Sequence, residues 1–133
     1  MIEIDGSYGE GGGQILRMSI AMAAVTGKEV RVFNIRGGRP KPGLKRQHMV
    51  AIESVARLCH AEVEGLQLGS TEIAFHPGAL EGGEYHFDIG TAGSVTLVLQ
   101  ACIPPSLKAE RETHLVLRGG TDVKWSPPWD YFQ

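Results

Sequence analysis

Residues 5–17 read DGSYGEGGGQILR. Five glycines, at 6, 9, 11, 12 and 13, surround a single acid, Glu10. Glycine reaches positive φ without steric cost and lets a ligand approach the main chain. The residues that follow, Gln14 to Thr26, are apolar at helical spacing. A glycine loop running into a helix N-terminus presents unpaired N–H groups and partial positive charge, which suits a phosphate. Neither common phosphate signature is present. Gly13 is followed by Gln14 and Ile15 rather than Lys and Ser or Thr, and Gln14 and Leu16 stand where a dinucleotide fingerprint needs its third glycine. A plain turn between strand and helix is the alternative. Glu10 and Arg17 argue against it, because an acid inside a phosphate loop repels phosphate unless a metal ion lies between them.

Outward from this loop, the chain divides into strands and helices. Met1 to Asp5 reads as a short strand. The helix over Gln14–Thr26 places Ile15, Met18, Ser19, Met22 and Val25 on one face, and Gly27 ends it. Lys28 to Ile35 alternates as a strand. Arg36 to Gly43, with two prolines and three glycines, is a loop. A second helix runs from Leu44 to about His60, and two strands follow at Ala61–Gly65 and Thr71–His76. The pattern then restarts: strand Tyr85–Asp88, glycine loop Ile89–Ser94, helix Val95–Ile103 stopped by Pro104 and Pro105, strand Thr113–Leu117, then Arg118-Gly119-Gly120. The aspartates lie 88 − 5 = 83 residues apart and the arginines 118 − 36 = 82. This spacing predicts an internal repeat. The expected fold is α+β, with α/β-like repeated βαβαββ units: a complete unit over 1–80 carrying the phosphate loops, and a second over 81–133 cut off before its second helix. From Pro127 onward, a natural tail is the alternative reading of that cut.

With 133 residues, 42% of them hydrophobic, the chain can bury one sizeable core. A net charge of −2 excludes the overall basic signature of a nucleic-acid coat protein, so any polyanion site must be a local cluster. Cys59 and Cys102 sit in apolar helical patterns and read as buried free thiols of a reducing compartment. The five histidines are scattered, without metal-ligand spacing. No basic leader or long apolar run precedes or interrupts the fold, so the expected location is cytoplasmic, with no membrane partner.

Arg36, Arg39, Lys41, Lys45 and Arg46 fall within eleven residues, around two prolines and beside a helix start. Arginine grips phosphate in a bidentate way, and prolines hold such a loop stiff. A solvated basic surface loop is the alternative. Loops at the carboxyl ends of neighbouring parallel strands share one crevice. If Asp5, Arg36, Asp88 and Arg118 all end strands, then Glu10, Arg17, Arg36 and Arg39 converge there. Gln47 and His48 lie in the adjoining first turn of the second helix. Gln100, the one polar residue between Val95 and Ile103, reads on periodicity as a surface position.

The motifs DGSYGEGGGQILR, RGGRPKPGLKRQH, DIGTAGSVTLVLQ and GGTDVKWSPPWDY, in this order and spacing, resemble the N-terminal part of the RNA 3′-terminal phosphate cyclases. The resemblance reaches from residue 5 to residue 131. It implies a ligase-type enzyme of RNA processing that uses ATP and a divalent metal, Mg2+ or Mn2+, to turn an RNA 3′-phosphate into a 2′,3′-cyclic phosphate. AMP is carried first on a histidine and then on the RNA 3′-phosphate. By the same resemblance, Glu10 holds the metal. Arg17, Arg36, Arg39 and Gln47 surround the phosphates, Gln100 contacts the nucleotide, and Pro127 or Pro128 packs on the adenine. The family's nucleophilic histidine lies near the end of a considerably longer chain, and no residue here matches it. His48 suits a hydrogen bond to phosphate better than in-line attack. The 133 residues alone are therefore expected to be inactive, and to self-associate as a homo-oligomer or to need a missing half.

Two further classes stay open. One is a non-catalytic cyclase-like protein of ribosomal RNA processing, although a scaffold has no physical need for Glu10 among phosphate-binding glycines. The other is an enolpyruvate transferase, a fold of similar units whose phosphoenolpyruvate and shikimate site is not found. ATP binding separates the first reading from both. The expected substrate partner is RNA ending in a 3′-phosphate.

Overall fold

The structure, a computed structural model, describes residues 1–8, 13–90 and 95–119, and the backbone of 123–125. Glu10, Thr91, Pro127 and Pro128 lie outside the described residues. The elements are β1 (Ile2–Asp5), α1 (Gly13–Thr26), β2 (Val30–Phe33), α2 (Arg46–Leu58), β3 (Glu62–Glu64), β4 (Ile73–His76), β5 (Gly83–Asp88), α3 (Val95–Lys108), β6 (Thr113–Arg118) and β7 (Val123–Trp125). Helices and strands mix as an α+β fold. One sheet has the order β1-β2-β4-β3 and the other β5-β6-β7.

Each sheet opens with a parallel pair joined by a crossover helix. β1 runs parallel to β2 with Asp5 opposite Phe33, and β5 runs parallel to β6 with Asp88 opposite Arg118. Both aspartates turn the chain in the same way. Asp5 Oδ1 accepts from the Ser7 amide at 2.9 Å, and Asp88 Oδ1 accepts from the Gly90 amide at 3.1 Å. The amide after each aspartate also reaches across to the paired strand, Gly6 to the Phe33 carbonyl and Ile89 to the Arg118 carbonyl, both at 2.6 Å. The backbone therefore equates Arg118 with Phe33, not with Arg36 as the Arg-Gly-Gly spacing suggested. Arg36 ends no strand, because Asn34 and Arg36 adopt left-handed φ values of 51° and 52° and take the chain out of β2. After these pairs the halves differ. The first continues through α2 into the antiparallel β3–β4 hairpin, whereas β6 turns directly into antiparallel β7.

Two helices depart from the sequence reading. The stripe of Met18 and Met22 is not the core face of α1: both are exposed, while Leu16, Ile20, Ala23 and Ala24 are buried. A helix apolar on all sides gives periodicity nothing to choose between. In the second half, α3 runs through Pro104 and Pro105 to Lys108 instead of stopping at Ile103. Proline fits helical φ and only removes a donor and crowds the preceding turn. Here the last turns are held by packing of buried Pro105 and Ala109 and by Ser106 Oγ, which donates to the Cys102 carbonyl at 2.7 Å.

The halves share one core. Leu16, Val32, Val55 and Phe75 of the first cluster with Phe87, Val98, Leu115 and Leu117 of the second. α3 packs against both α1 and α2. Arg57 of α2 adds a stitch from the surface: Nη1 donates to the His86 carbonyl at 2.9 Å, and the guanidinium lies 4.8 Å from the Phe87 ring centre. Cys59 and Cys102 are buried free thiols, as their settings predicted.

Candidate functional site

The N-terminus of α1 meets the first turn of α2. Gly13 opens α1, and Arg17 lies one turn on, half-buried. His48, in the first turn of α2, is only 2% exposed. Its Nδ1 accepts the Lys45 amide at 3.0 Å, which satisfies one orphan donor of the helix start. The ring proton of the neutral side chain therefore sits on Nε2. A Cβ added to residue 13 would stand 2.6 Å from His48 Nε2 and 2.7 Å from Arg17 Nη1. Glycine is thus required there by close approach, and that approach brings the imidazole and the guanidinium together at a helix N-terminus.

Electrostatics fix the protonation of this pair. Burial pushes the His48 pKa down to about 4, and the positive charges of Arg36, Arg17 and Lys45 push the same way. Burial also lowers the Arg17 pKa, though not enough to cost an arginine its charge near neutrality. At neutral pH the site offers a guanidinium, a neutral imidazole N–H and the amides of the first turn of α1. All are donors, and such a set favours an anion.

The basic loop wraps back beside this point, and its arginines divide. Arg36 is buried, at 8% exposure, and its Nη1 donates to the carbonyls of Lys41 at 2.7 Å and Gly43 at 3.0 Å. It closes its own loop. Gly43, at φ 92°, is pressed so near Gly69 that a Cβ would come within 2.3 Å of the Gly69 carbonyl oxygen. The Ile35, Gly43 and Leu44 backbone is also hydrogen-bonded to Thr71, Ile35 and Ser70, respectively. Arg39 is exposed at the rim of a groove that Gly13 and Arg17 also line. Gln47 is half-buried next to His48. Gln100 is exposed on α3, and no hydrogen bond or ion pair among the described residues ties it to Arg17 or His48. The structure therefore brings Arg17 and His48 together, sets Arg39 at the same groove and turns Arg36 inward.

The sequence placed His48 beside Gln47 near the crevice, suited to a hydrogen bond to phosphate, but did not foresee its burial or its bond to the Lys45 amide. The signal that could have marked it was its place three residues after Lys45, where a side chain can reach back to the N-cap amide. The other four histidines face acids. His76 pairs with Glu29 and Glu64, His60 with Glu81, His86 with Glu84 and His114 with Glu112. Among the described residues no three His, Cys, Asp or Glu side chains group to hold a metal. No helix among them is long and apolar enough to cross a membrane.

Comparison with known proteins agrees in one direction. The family model described as RNA 3′-terminal phosphate cyclase matches residues 8–133. Curated proteins of that name resemble the chain along almost all its length. The one from Ignicoccus hospitalis is 63% identical over 133 residues, and that from Methanopyrus kandleri 61% identical over 131. The one from Archaeoglobus fulgidus is 59% identical over 133. These alignments cover 100%, 98% and 100% of this chain but only 38%, 37% and 40% of the respective relatives, so the chain spans under half of their length. With the match running from residue 8 to residue 133, the chain belongs to the RNA 3′-terminal phosphate cyclase family.

Proposed function

We propose that the chain supplies the phosphate-holding part of a ligase-type cyclase. That enzyme uses ATP to convert an RNA 3′-phosphate into a 2′,3′-cyclic phosphate, through AMP carried first on the enzyme and then on the RNA end. The observation that carries this reading is the convergence of Arg17 and His48 on Gly13 at the start of α1. Arg17 supplies fixed charge to phosphate oxygens. His48 supplies a hydrogen bond without adding charge, its ring held by the Lys45 amide. The first-turn amides of α1 complete the cradle, and Arg36 keeps the adjoining loop closed so that Arg39 stands at its rim. Phosphate bound by this set exchanges water for directed, charge-assisted donors.

In this reading Gln47 and Gln100 contact the nucleotide, and Pro128 packs on its base. Glu10 holds Mg2+ or Mn2+, which when bound neutralises phosphate charge. Glu10 and Pro128 lie outside the described residues, and their roles rest on the family match. The nucleophilic histidine belongs to the portion of the relatives that this chain does not span, so the 133 residues bind nucleotide without turning over. An RNA 3′-phosphate end is the substrate, in the cytoplasm, and a homo-oligomer is the form in solution.

The test is a calorimetric titration of the chain with ATP and Mg2+, alongside Gly13→Ala. The added methyl displaces His48 and Arg17, so affinity should fall at least tenfold while the helical circular dichroism is kept. Unchanged affinity in the folded variant would sink the proposed cradle. An absence of ATP binding by the parent chain would favour the non-catalytic reading.

A further inference from the structure

The turn that joins β3 to β4 carries no charged group of the candidate site, yet it holds the start of α2. The turn is stiff in itself. The Gln67 amide donates to the Gly65 carbonyl at 2.9 Å, the Ser70 amide to the Gln67 carbonyl at 3.1 Å, and Ser70 Oγ to the Glu72 carbonyl at 2.8 Å. It is also anchored, because β4 lies between β2 and β3 and buries Ile73 and Phe75 in the core. Leu44 is held against this turn by both of its main-chain groups. Its amide donates to the Ser70 carbonyl at 2.9 Å, and its carbonyl accepts the Gly69 amide at 2.8 Å. Its side chain is buried as well. The residue before it, Gly43, passes so close that a Cβ there would meet the Gly69 carbonyl oxygen at 2.3 Å, its carbonyl carbon at 2.6 Å and its Cα at 3.0 Å.

We propose that this turn is a positioning element for the candidate phosphate site, with Gly43 and Gly69 as positioning residues that act through Leu44 and Lys45 on the His48 imidazole. The connection is short and made of direct bonds. Gly69 and Ser70 fix Leu44, and Lys45 is the next residue. The extended backbone of Lys45, φ −95° and ψ 167°, precedes the helix, and its amide donates to His48 Nδ1 at 3.0 Å. That bond leaves the ring proton on Nε2, the atom that stands closest to a Cβ built at residue 13. Electrostatics do not seat the ring. Among the described residues, the charges that shift its titration belong to Arg36, Arg17 and Lys45, and all are positive. Backbone bonds must do it, and they run back to the turn. A donor held by a rigid neighbouring element is pre-organised for its ligand, and loosening that element by a fraction of an ångström spoils the geometry. The seating of His48 does not depend on which ligand the site takes; only the effect on affinity rests on the phosphate reading.

Diethyl pyrocarbonate carbethoxylates accessible neutral imidazoles, so it reads the seating of His48 against the exposed His60, His86 and His114 of the same molecule. The parent chain, Gly43→Ala and Gly69→Ala are treated near neutral pH, and each histidine is followed by peptide mass spectrometry. Both variants put alanine at a left-handed glycine, with φ of 92° and 79°, but a Cβ at residue 69 meets nothing within 4 Å. In the parent and in Gly69→Ala, His48 should react far more slowly than the three exposed histidines. In Gly43→Ala its rate should rise about tenfold or more while theirs stay unchanged. An unchanged His48 rate in a Gly43→Ala variant folded by circular dichroism overturns the proposal. So does an equal rise at every histidine, which is general loosening. The same His48 rise in Gly69→Ala overturns it too, because backbone strain alone would then suffice. Should Gly43→Ala not fold, amide exchange of the parent decides. The amides of Gly69, Leu44 and Lys45 should then open as one unit, and a Lys45 amide exchanging about tenfold or more faster than the other two overturns the proposal. ATP titration of Gly43→Ala is a separate arm, with affinity expected to fall about tenfold. If the parent itself binds no ATP, the phosphate reading fails and the histidine rates still decide the positioning.

Discussion

Arg36 and Arg39 stand three residues apart in one loop and do different work. Arg36 places its guanidinium on two carbonyls of the loop that it belongs to, and Arg39 is exposed beside the groove. Arg36→Ala strands those carbonyls and empties a buried site. Hydrogen bonds to a charged group contribute about 1.5–3 kcal/mol each, so the loss of stability should reach that range or exceed it. Arg39→Ala should leave the melting temperature within a few degrees while weakening phosphate binding several-fold. Paired thermal melts and ATP titrations of the two variants check this. Equal stability losses would mean that Arg39 is structural too. The spacing of this loop marked both residues as basic and near the glycine loop, and that much was legible. What hid the division was burial: two left-handed residues, Asn34 and Arg36, turn one arginine inward, and neither composition nor periodicity encodes that turn.

At the scale of elements, β1 to β6 and the first two helices were readable from alternation, helical spacing and the Gly27 stop, whereas the short β7 was not. α3 was read short because proline is the strongest local helix breaker, and tertiary packing prevailed over it. That leaves a recoverable strain. Pro104 is only partly buried and lacks the amide that would bond to the Gln100 carbonyl, so Pro104→Ala restores an intrahelical bond. An interior proline costs a helix about 3 kcal/mol, and the more flexible unfolded chain of the variant returns about 0.4–1 kcal/mol of that. A net stabilisation of about 2 kcal/mol should appear as a higher urea midpoint. A lower midpoint would show that the proline ring is itself part of the packing. The alignment of the two expected units was misread for a related reason. Arg-Gly-Gly invites alignment of Arg36 with Arg118, whereas the geometry found in both halves is a backbone bond from the residue after each aspartate, made by Gly6 in one half and Ile89 in the other. A bond between main-chain atoms leaves no residue signature.

For the whole molecule, two histidines set opposite pH limits. The folded-state pKa of His48 is depressed to about 4 from an ordinary 6.5, so the unfolded chain binds its proton more readily. Stability is full above about 6.5 and falls as pH drops towards 4, by on the order of 3 kcal/mol. His76 goes the other way: its hydrogen bonds with Glu29 and then Glu64 raise its pKa. The contribution of His76 is fully present below 6.5 and is lost as pH rises through the raised value. Maximum stability should therefore lie near neutrality, and His48→Gln should flatten the acid side alone. The buried thiols supply the gauge for this measurement. Burial pushes Cys59 up to about 11 and Cys102 up to about 12, and both side chains are fully enclosed. Alkylation needs a thiolate within reach of the reagent, so in the folded protein both sulfurs are chemically silent. One lies at the end of α2 and the other in α3, a reporter in each half. Since one core joins the halves, a thiol reagent should find both cysteines at the same rate, and that rate counts openings of the entire molecule.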